Sequence, residues 1–370
     1  MTDYIPVVMS FDRNYSDYAA VTTQSALYHT KNKLKFYWLI TRKDLLLINE
    51  LKKKIIHKNL IEIKIIEVDD HDIFNEIEIS SHWGNVAFNK LLIPKLVLEE
   101  KVIYLDTDLL VLDDLESFYV INIKDYLIAG VYDPDGIKTD IINNKNNFDY
   151  INSGAMLMNL DLFRSNNYFE KISEIIQINK KKILSDQCIF NKYTENRKLI
   201  VDKKYNFLIY PNLIEEYEKK IIENLQKNKI KIIHFVGPVK PWMEWCNLLV
   251  TNIYSFYSNK LSNVDVKIKK ISNILQALIY ISILDKNCSF NKSNIIKYKI
   301  IKKLANTIQK SHIDNDLVLK NLFNLMAVND NILELNKIKT DIIKILVQYK
   351  LRENKNLSFP QVMELINFNI

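Results

Sequence analysis

Two aspartates, Asp106 and Asp108, are separated by one residue at the end of the apolar segment Val102–Leu105. In an extended chain the side chains at positions i and i+2 point to the same side, so both carboxylates can face one ion. Oxygen ligands at this spacing suit a divalent cation, and such a cation suits a diphosphate. An aspartate at a strand end is more often a turn former or a helix cap, so the pair alone leaves both interpretations open.

The loop after the first predicted strand carries polar and aromatic side chains that suit a nucleoside. Asp12 and Asn14 can hydrogen-bond the edge of a uracil base or ribose hydroxyls, and Tyr15 can stack on the base. An ordinary strand-to-helix connection has the same appearance. The loop therefore indicates a nucleoside site only if other segments of the chain supply the rest of that site.

Two segments in the middle of the chain combine polar residues with a glycine or with a helix start. Asn152 and Ser153 precede Gly154 and a run of apolar residues, a pattern that lets the backbone approach a ligand closely. Asp186 and Gln187 open a short predicted helix, where Asp186 can equally act as a cap. Each pattern thus allows a binding role and a purely structural role.

His234 ends another apolar strand and is followed at short spacing by Gly237 and Lys240. The glycine lets a turn approach a phosphate, and the lysine offers that phosphate a point charge. A single histidine at a strand end is usually satisfied by its neighbours. That interpretation does not explain the glycine, the lysine and the Pro241-Trp242 pair, so we favour a phosphate-binding segment.

Positioning these residues requires strands whose ends meet. Over the first 130 residues the pattern alternates between β-like and helical spacing, with Ser16 or Asp17 as the expected cap of the first helix. The predicted strands are Ile5–Ser10, Phe36–Thr41, Ile61–Val68, Val102–Leu105 and Leu127–Val131, and the predicted helices are Asp17–His29, Lys43–Ile56 and Val86–Leu98. This alternation predicts an α/β fold with a mostly parallel sheet flanked by helices, whose ligands bind at the carboxyl ends of the strands.

The chain changes character near Asn252. The remaining sequence lacks strand alternation and is rich in lysine, which predicts an all-helical C-terminal region at residues 251–370 beside a first domain at residues 1–250. The predicted helices are Val266–Leu284, Ser293–Ser311, Asn315–Val328, Ile332–Tyr349 and Pro360–Phe368. The second of them has one apolar and one basic face. Such helices can dock on an anionic membrane surface, build an oligomer or present solvated lysines.

Charge, cysteine spacing and apolar runs bear on the partners and the location of the protein. The 370 residues carry a formal net charge of +7, but no basic strands with interleaved aromatic residues are visible, so we expect no nucleic-acid partner. The three cysteines are widely spaced, which suits a reducing compartment. The first residues show no signal peptide, and the longest apolar run, Ile274–Leu284, is too short to span a bilayer. We therefore expect a cytoplasmic protein, with peripheral attachment to the inner membrane as the alternative.

Taken in order, the motifs resemble those of the family 8 glycosyltransferases, retaining enzymes with a GT-A fold that use nucleotide sugars. The shared motifs are Asp12-x-Asn14-Tyr15, Asp106-x-Asp108, Asn152-x-Gly154, Asp186-Gln187 and His234-x-x-Gly237-x-x-Lys240-Pro241-Trp242. They extend over about two-thirds of the chain. The family includes bacterial lipooligosaccharide galactosyltransferases, so the resemblance implies a Rossmann-like GT-A domain that binds a UDP-hexose.

The resemblance also implies a role for each of these residues. Asp106, Asp108 and His234 would hold Mn²⁺, with Mg²⁺ as the alternative, since two carboxylates and an imidazole suit manganese. Uridine would be bound by Asp12, Asn14 and Tyr15, the diphosphate by Asp106, Gly237 and Lys240, and the sugar by Lys90, Asn152, Ser153, Asp186 and Gln187. Asp186 and Gln187 would be the catalytic pair. Because the amide of Gln187 is a poor nucleophile, we expect front-side attack in which the leaving phosphate accepts the proton.

Two positions depart from the family pattern. Lys90 stands where the family usually has arginine. Lysine keeps the positive charge but lacks the planar guanidinium group that could make a bidentate contact with sugar or phosphate. Cys188 follows Gln187 where some members have a second aspartate. Sugar recognition can therefore differ from that of the galactosyltransferases, and the donor stays open between UDP-galactose and UDP-glucose.

The resulting hypothesis is a hexosyltransferase that moves galactose or glucose to a hydroxyl of a surface glycan, with a lipooligosaccharide-type acceptor. Two alternatives remain open: a catalytically weak protein that binds nucleotide sugars or glycans, and a transferase that acts on a protein acceptor.

Overall fold

The computed structural model describes residues 3–68, 85–134, 150–179, 185–209, 223–224, 227, 229–237, 240–243, 246 and 248–261. The five helices predicted beyond residue 261 lie outside the described residues. The membrane-docking and oligomer hypotheses for the lysine-rich region therefore stay predictions. All helices and strands given below belong to one compact unit of the chain.

The larger sheet lies at the centre of this unit. Its strands are β1 Tyr4–Ser10, β2 Lys33–Thr41, β3 Leu60–Val68, β4 Lys101–Leu105, β6 Ile128–Tyr132, β7 Ile151–Asn159 and β8 Lys198–Val201, in the spatial order β3-β2-β1-β4-β7-β6-β8. Among these strands only β7 runs antiparallel to its neighbours, β4 and β6. The predicted mostly parallel sheet is confirmed. The chain order reverses beside β1, so the ends of β1 and β4 open a crevice for a ligand.

A smaller sheet brings a distant part of the chain beside β4. Its strands are β5 Leu109–Val111, β9 Phe207–Ile209 and β10 Ile232–Phe235, and β10 lies between the other two. In the antiparallel pair of β10 and β5, His234 is opposite Leu109. The backbone N–H of Phe235 donates to the carbonyl of Asp108 at 2.9 Å. This pairing places the histidine next to the two aspartates.

Eight α-helices are present among the described residues. They are α1 Ser16–His29, α2 Leu45–Lys53, α3 Ile93–Leu96, α4 Glu116–Tyr119, α5 Leu160–Arg164, α6 Tyr168–Asn179, α7 Asp186–Tyr193 and α8 Leu248–Ser258, and short 3₁₀ helices cover Arg42–Asp44, Asn85–Leu92 and Lys203–Tyr205. The predicted helix Val86–Leu98 is thus a 3₁₀ helix followed by the short α3. Pro94 stands in the first turn of α3, where its missing N–H costs no hydrogen bond.

The predicted cap of α1 is wrong, and the capping alternative for Asp186 does not hold either. Tyr15 precedes α1 without a side-chain cap, and the hydroxyl of Ser16 donates back to the carbonyl of Arg13 at 2.9 Å. At α7 the cap is Ser185, whose hydroxyl oxygen accepts from the N–H of Cys188. Asp186 lies one position further on, so its carboxylate is available to side chains of the cleft.

Helix α1 supports the turn that carries the two aspartates. It is buried over most of its length, and two of its polar residues bond to the turn and to β5. The hydroxyl of Thr22 lies 3.0 Å from the carbonyl oxygen of Thr107 and 2.8 Å from that of Leu109. The hydroxyl of Ser25 accepts from the N–H of Val111 at 3.0 Å. These buried bonds hold the turn between β4 and β5 in place.

Helix α8 packs against α1. The ring nitrogen Nε2 of His29 lies 2.8 Å from the hydroxyl of Tyr257. The boundary predicted at residue 250 falls inside this helix, and the division into two domains stays a prediction. Within the described ranges, no helix combines the length and the apolar character that crossing a bilayer requires.

Candidate active site

A cleft of about 350 Å³ opens at the carboxyl ends of β1 and β4. All of the predicted site residues except Asn14 line it, namely Asp12, Tyr15, Lys90, Asp106, Asp108, Asn152, Ser153, Asp186, Gln187, His234, Gly237 and Lys240. Asn14 is exposed and donates from its side-chain amide to the carboxylate of Asp12 at 3.0 Å. The structure thus gathers segments that are more than 200 residues apart in the chain.

Asp106, Asp108 and His234 form one cluster at the floor of the cleft. One ligand atom of each lies within 4.8 Å of those of the other two. His234 Nε2 is 3.2 Å from Asp108 Oδ1, and the N–H of Asp106 donates to the carbonyl of Gly154 at 2.7 Å. Two carboxylates and one imidazole are a donor set that fits Mn²⁺ or Mg²⁺. These side chains can therefore hold a divalent cation.

Gly154 is the residue that lets this cluster form. A Cβ added there would lie 2.1 Å from Cε1 of His234 and 2.9 Å from Oδ2 of Asp106. Any larger residue would therefore push two candidate metal ligands aside. From the sequence we expected the glycine to admit a ligand. The structure shows that it admits the side chains that would bind one.

A buried lysine contacts the same cluster. Lys240, which is 3% exposed, donates from Nζ to Asp108 Oδ2 and to the carbonyl oxygen of Phe235, both at 2.6 Å. Burial by itself raises the pKa of Asp108. Lys240 and His234, which lie beside the two carboxylate oxygens, outweigh that effect and hold the pKa of Asp108 well below its usual range. Asp108 is therefore a carboxylate at neutral pH.

A second buried lysine joins the cluster to the predicted sugar pocket. Lys90 is 4% exposed, and its Nζ lies 3.1 Å from Asp106 Oδ1 and 3.0 Å from Asp186 Oδ2. Burial lowers the pKa of Lys90, but the two carboxylates raise it well above the usual value. The hydroxyl of Tyr104 also donates to Asp106 Oδ1, at 2.6 Å. One ammonium thus bridges two carboxylates at the position that was noted from the sequence as a lysine in place of the family's usual arginine.

The polar residues of the predicted sugar pocket bond to one another. Gln187 Oε1 accepts from the N–H of Ser153 at 2.9 Å, and Gln187 Nε2 donates to Asp133 Oδ2 at 3.1 Å. The hydroxyl of Ser153 donates to Asp186 Oδ2 at 3.0 Å. Both ends of the Gln187 amide are therefore engaged by the protein, which fixes its orientation.

A buried carboxylate anchors the loop that is predicted to bind uridine. Asp44 is fully buried, and its oxygens accept from Arg13 Nε at 2.7 Å and from the N–H of Arg13 at 3.2 Å. Next in the loop, Tyr15 faces the cleft. Burial and the nearby charge of Asp108 raise the pKa of Tyr15 to about 12. Its phenol is therefore neutral at physiological pH, as a stacking ring requires.

We expect Asp44→Asn to lower the free energy of unfolding by about 1–3 kcal/mol, because it removes the charge from two hydrogen bonds that hold the loop. The loss of unfolding free energy should lie at the lower end of this range because the side chain of Arg13 is half-exposed. Glu67→Gln is the matched control, since its ion pair with Arg42 lies at the surface and should change stability by less than about 0.5 kcal/mol. Urea unfolding measures both. Equal values for the two variants would contradict a special role of Asp44.

Four residues that contact the predicted site residues or the loop that carries them were not predicted from the sequence: Asp44, Tyr104, Asp133 and Asn206. A signal existed for two of them. Asp133 follows the predicted strand Leu127–Val131 just as Asp106 follows its own strand, and Tyr104 lies two positions before Asp106 and shares its side of β4. Asn206 lies between a 3₁₀ helix and β9, where no local pattern marks it.

The larger, mostly parallel sheet carries a cluster of two carboxylates and an imidazole at its switch point. This arrangement defines a GT-A fold with a candidate metal site. The sequence model of the family described as glycosyl transferase family 8 matches residues 6–246. The chain therefore belongs to glycosyl transferase family 8.

Curated relatives carry related names. Glycosyltransferase GlyB of Streptococcus pneumoniae is 27% identical over 74% of this chain and 67% of its own length. The lipopolysaccharide 1,2-glucosyltransferase of Escherichia coli is 28% identical over 65% of this chain and 74% of its own length. Glycosyltransferase GlyD of S. pneumoniae is 26% identical over 64% of this chain, but the match spans only 28% of that protein.

Among solved structures, the galactosyltransferase LgtC in complex with donor and acceptor sugar analogues superposes with a TM-score of 0.60 at 20% identity. The alignment covers 70% of this chain and 98% of LgtC. At that level of identity the likeness shows the shared fold.

Proposed function

We propose that this protein is a metal-dependent, retaining hexosyltransferase that uses UDP-galactose or UDP-glucose. The observation that carries the proposal is the cluster of Asp106, Asp108 and His234, with a buried lysine on either side, in the cleft at the switch point of the sheet. Positive charge beside carboxylates that can bind a cation suits a diphosphate leaving group. Family membership supports glycosyl transfer as the reaction.

The chain's own residues would divide the work on the donor. A cation bound by the cluster would supply charge that neutralises the diphosphate. Lys240 is close enough to Asp108 to add a second positive charge as negative charge grows on the departing UDP. Asp12 and Tyr15 face the cleft and would bind the uridine, with Asn14 holding the carboxylate of Asp12 in place.

Retention is best explained by front-side attack. Gln187 would lie on the opposite face of the sugar, but its amide is a poor nucleophile and both of its ends are bonded within the protein. Asp186 is paired with Lys90 and Ser153. The acceptor hydroxyl would therefore lose its proton to an oxygen of the leaving phosphate, while Lys90, Asp186 and Gln187 position the sugar.

The sugar and the acceptor are inferred from chemistry and from relatives. The E. coli relative is named a lipopolysaccharide glucosyltransferase, and LgtC is named a galactosyltransferase. Epimers differ by the direction of one hydroxyl, which one or two pocket contacts distinguish. We propose a hydroxyl of a surface glycan of the lipooligosaccharide type as the acceptor.

The proposal is tested by measuring UDP release from a panel of UDP-sugars, with and without Mn²⁺, and by determining the anomeric configuration of the product by NMR. We expect release from UDP-galactose or UDP-glucose that depends on the metal, is lost with a chelator and gives a product with the configuration of the donor. Equal release without metal, or an inverted product, would rule out the proposed mechanism. Tight metal-dependent binding of UDP without transfer to any glycan would support a binding protein instead.

A further inference from the structure

We propose that Asn206 is a positioning residue that fixes the tautomer of His234 and thereby directs its Nε2 lone pair at the metal cluster. Asn206 is fully buried and does not itself line the cleft, but its side chain bonds to two residues that do, Asn152 and His234. The proposal rests on the proposed function, because it assigns a cation to the cluster. It goes beyond that function in naming what prepares the histidine to bind.

The backbone N–H of Gly154 determines how the side-chain amide of Asn152 is oriented. The N–H of Gly154 can only donate, and it lies 3.0 Å from the side-chain oxygen Oδ1 of Asn152. At its other end, Asn152 Nδ2 donates to the carboxylate of Asp133 at 3.0 Å. A donor on one side and a carboxylate on the other allow only one orientation of the Asn152 amide. Its oxygen therefore faces Gly154.

The orientation of Asn152 determines that of Asn206. The same oxygen of Asn152 lies 2.9 Å from the amide nitrogen Nδ2 of Asn206. If the Asn206 amide were turned over, two carbonyl oxygens would face each other in a buried site, which is strongly unfavourable. Nδ2 of Asn206 must therefore face Asn152, and Oδ1 must face the other way.

The orientation of Asn206 in turn determines the proton on His234. Asn206 Oδ1 lies 3.1 Å from His234 Nδ1, and a carbonyl oxygen only accepts hydrogen bonds. Nδ1 must therefore carry the hydrogen. Nε2, the atom that faces Asp108 at 3.2 Å, is then the ring nitrogen whose lone pair would bind a cation held by the cluster. His234 is 4% exposed, so water is a poor substitute for Asn206.

The same side chains connect the metal cluster with the sugar pocket. Asn206 holds His234 and Asn152, and Asp133 holds both Asn152 and Gln187. Loss of an outer bond to a metal-bound histidine typically weakens metal binding about 10- to 100-fold. The side-chain oxygen of Asn206 should therefore strengthen cation binding, through His234, and its nitrogen should strengthen sugar binding, through Asn152.

Two substitutions separate these two effects. Asn206→Leu removes both bonds, and we expect Mn²⁺ to bind about 10- to 100-fold more weakly, as measured by electron paramagnetic resonance of the free ion. Asn206→Asp keeps an oxygen toward His234 but places a carboxylate oxygen against Asn152. It should retain metal affinity within about threefold of wild type while raising KM for the sugar donor. Asn191→Leu is the matched control, because Asn191 is an equally buried asparagine that bonds the backbone of Ile151 and Gln187.

The tautomer itself is measured in the unaltered protein by long-range proton–nitrogen NMR of labelled histidine, with His234 assigned from a His234→Gln spectrum. A ring that carries a hydrogen on Nδ1 is expected, and a ring whose only hydrogen is on Nε2 would overturn the inference. So would a folded Asn206→Leu protein that binds Mn²⁺ like wild type. If wild type binds no Mn²⁺, the proposed function fails, whereas the NMR result still decides whether Asn206 orients the ring.

Discussion

Asp108→Asn is expected to lower glycosyl transfer by about 10³-fold or more and to weaken the binding of Mn²⁺ in parallel. The substitution keeps the shape of the side chain but removes the charge of a candidate metal ligand, whose oxygens lie 3.2 Å from Nε2 of His234 and 2.6 Å from Nζ of Lys240. The rate of transfer falls tenfold for each loss of about 1.4 kcal/mol in transition-state stabilisation. Weaker charge stabilisation of the leaving group by several kcal/mol therefore lowers the rate by about 10³-fold or more. Initial rates at saturating donor, together with metal titration, measure the effect.

The stability of this variant gives a second readout. Removing the charge of Asp108 takes one carboxylate charge away from the buried ammonium of Lys240, which should cost up to about 3–5 kcal/mol of unfolding free energy. Adding Lys240→Met replaces that ammonium with an apolar chain of similar length and should recover part of the loss without recovering activity. Recovery of activity in the double variant would show that Lys240, and not the metal ligand, limits the single variant.

Asp113→Asn is the matched control for Asp108→Asn. Asp113 lies a few residues further along the chain and pairs with Lys231 in a half-exposed position. An exposed ion pair contributes about 0–1 kcal/mol, so this variant should keep both the activity and the metal affinity of wild type. If the two variants lost activity equally, the cluster would not be the site of reaction.

Gly154→Ala is expected to lower activity about 10²-fold although it adds only one methyl group. That methyl would lie 2.1 Å from Cε1 of His234 and 2.9 Å from Oδ2 of Asp106, closer than atoms can approach. Because His234 is buried on β10 and Asp106 is tied to the carbonyl of Gly154, the ligands must move by about 1 Å, and such a misplacement costs on the order of 10²-fold in rate. Mn²⁺ affinity should fall as well, whereas UDP binding measured without metal should change little.

Gly130→Ala is the corresponding control in the same sheet. Its new methyl group would meet Cδ1 of Ile151 at 2.9 Å, and this atom is the end of a flexible side chain away from the cluster. We expect a loss of about 1–3 kcal/mol in stability from overpacking and wild-type activity in the folded protein. A Gly154→Ala protein with wild-type activity would show that the space beside this glycine is unimportant for the reaction.

The sheet and most of the site residues were predictable because their signals are local. Apolar runs that end in Asp106, His234 or the Asp12 loop place polar side chains at strand ends, and parallel strands collect those ends at one edge. The helix caps were not predictable from residue type alone. Ser16 and Asp186 are good cap residues, but the first bonds back to Arg13 and the second is held by Lys90 in the cleft.

The sequence by itself determined the α/β architecture, the residues that reach the cleft and the family to which the chain is similar, because strand–helix alternation and motif order are properties of neighbouring residues. Only the tertiary structure decided which of these residues touch. Lys90 lies between Asp106 and Asp186, Asp44 holds Arg13 in the loop after β1, and Asn206 bonds to His234. The cause is the order of the strands: β7, β4 and β10 meet around the cleft although they are far apart in the chain, and local spacing does not encode that order.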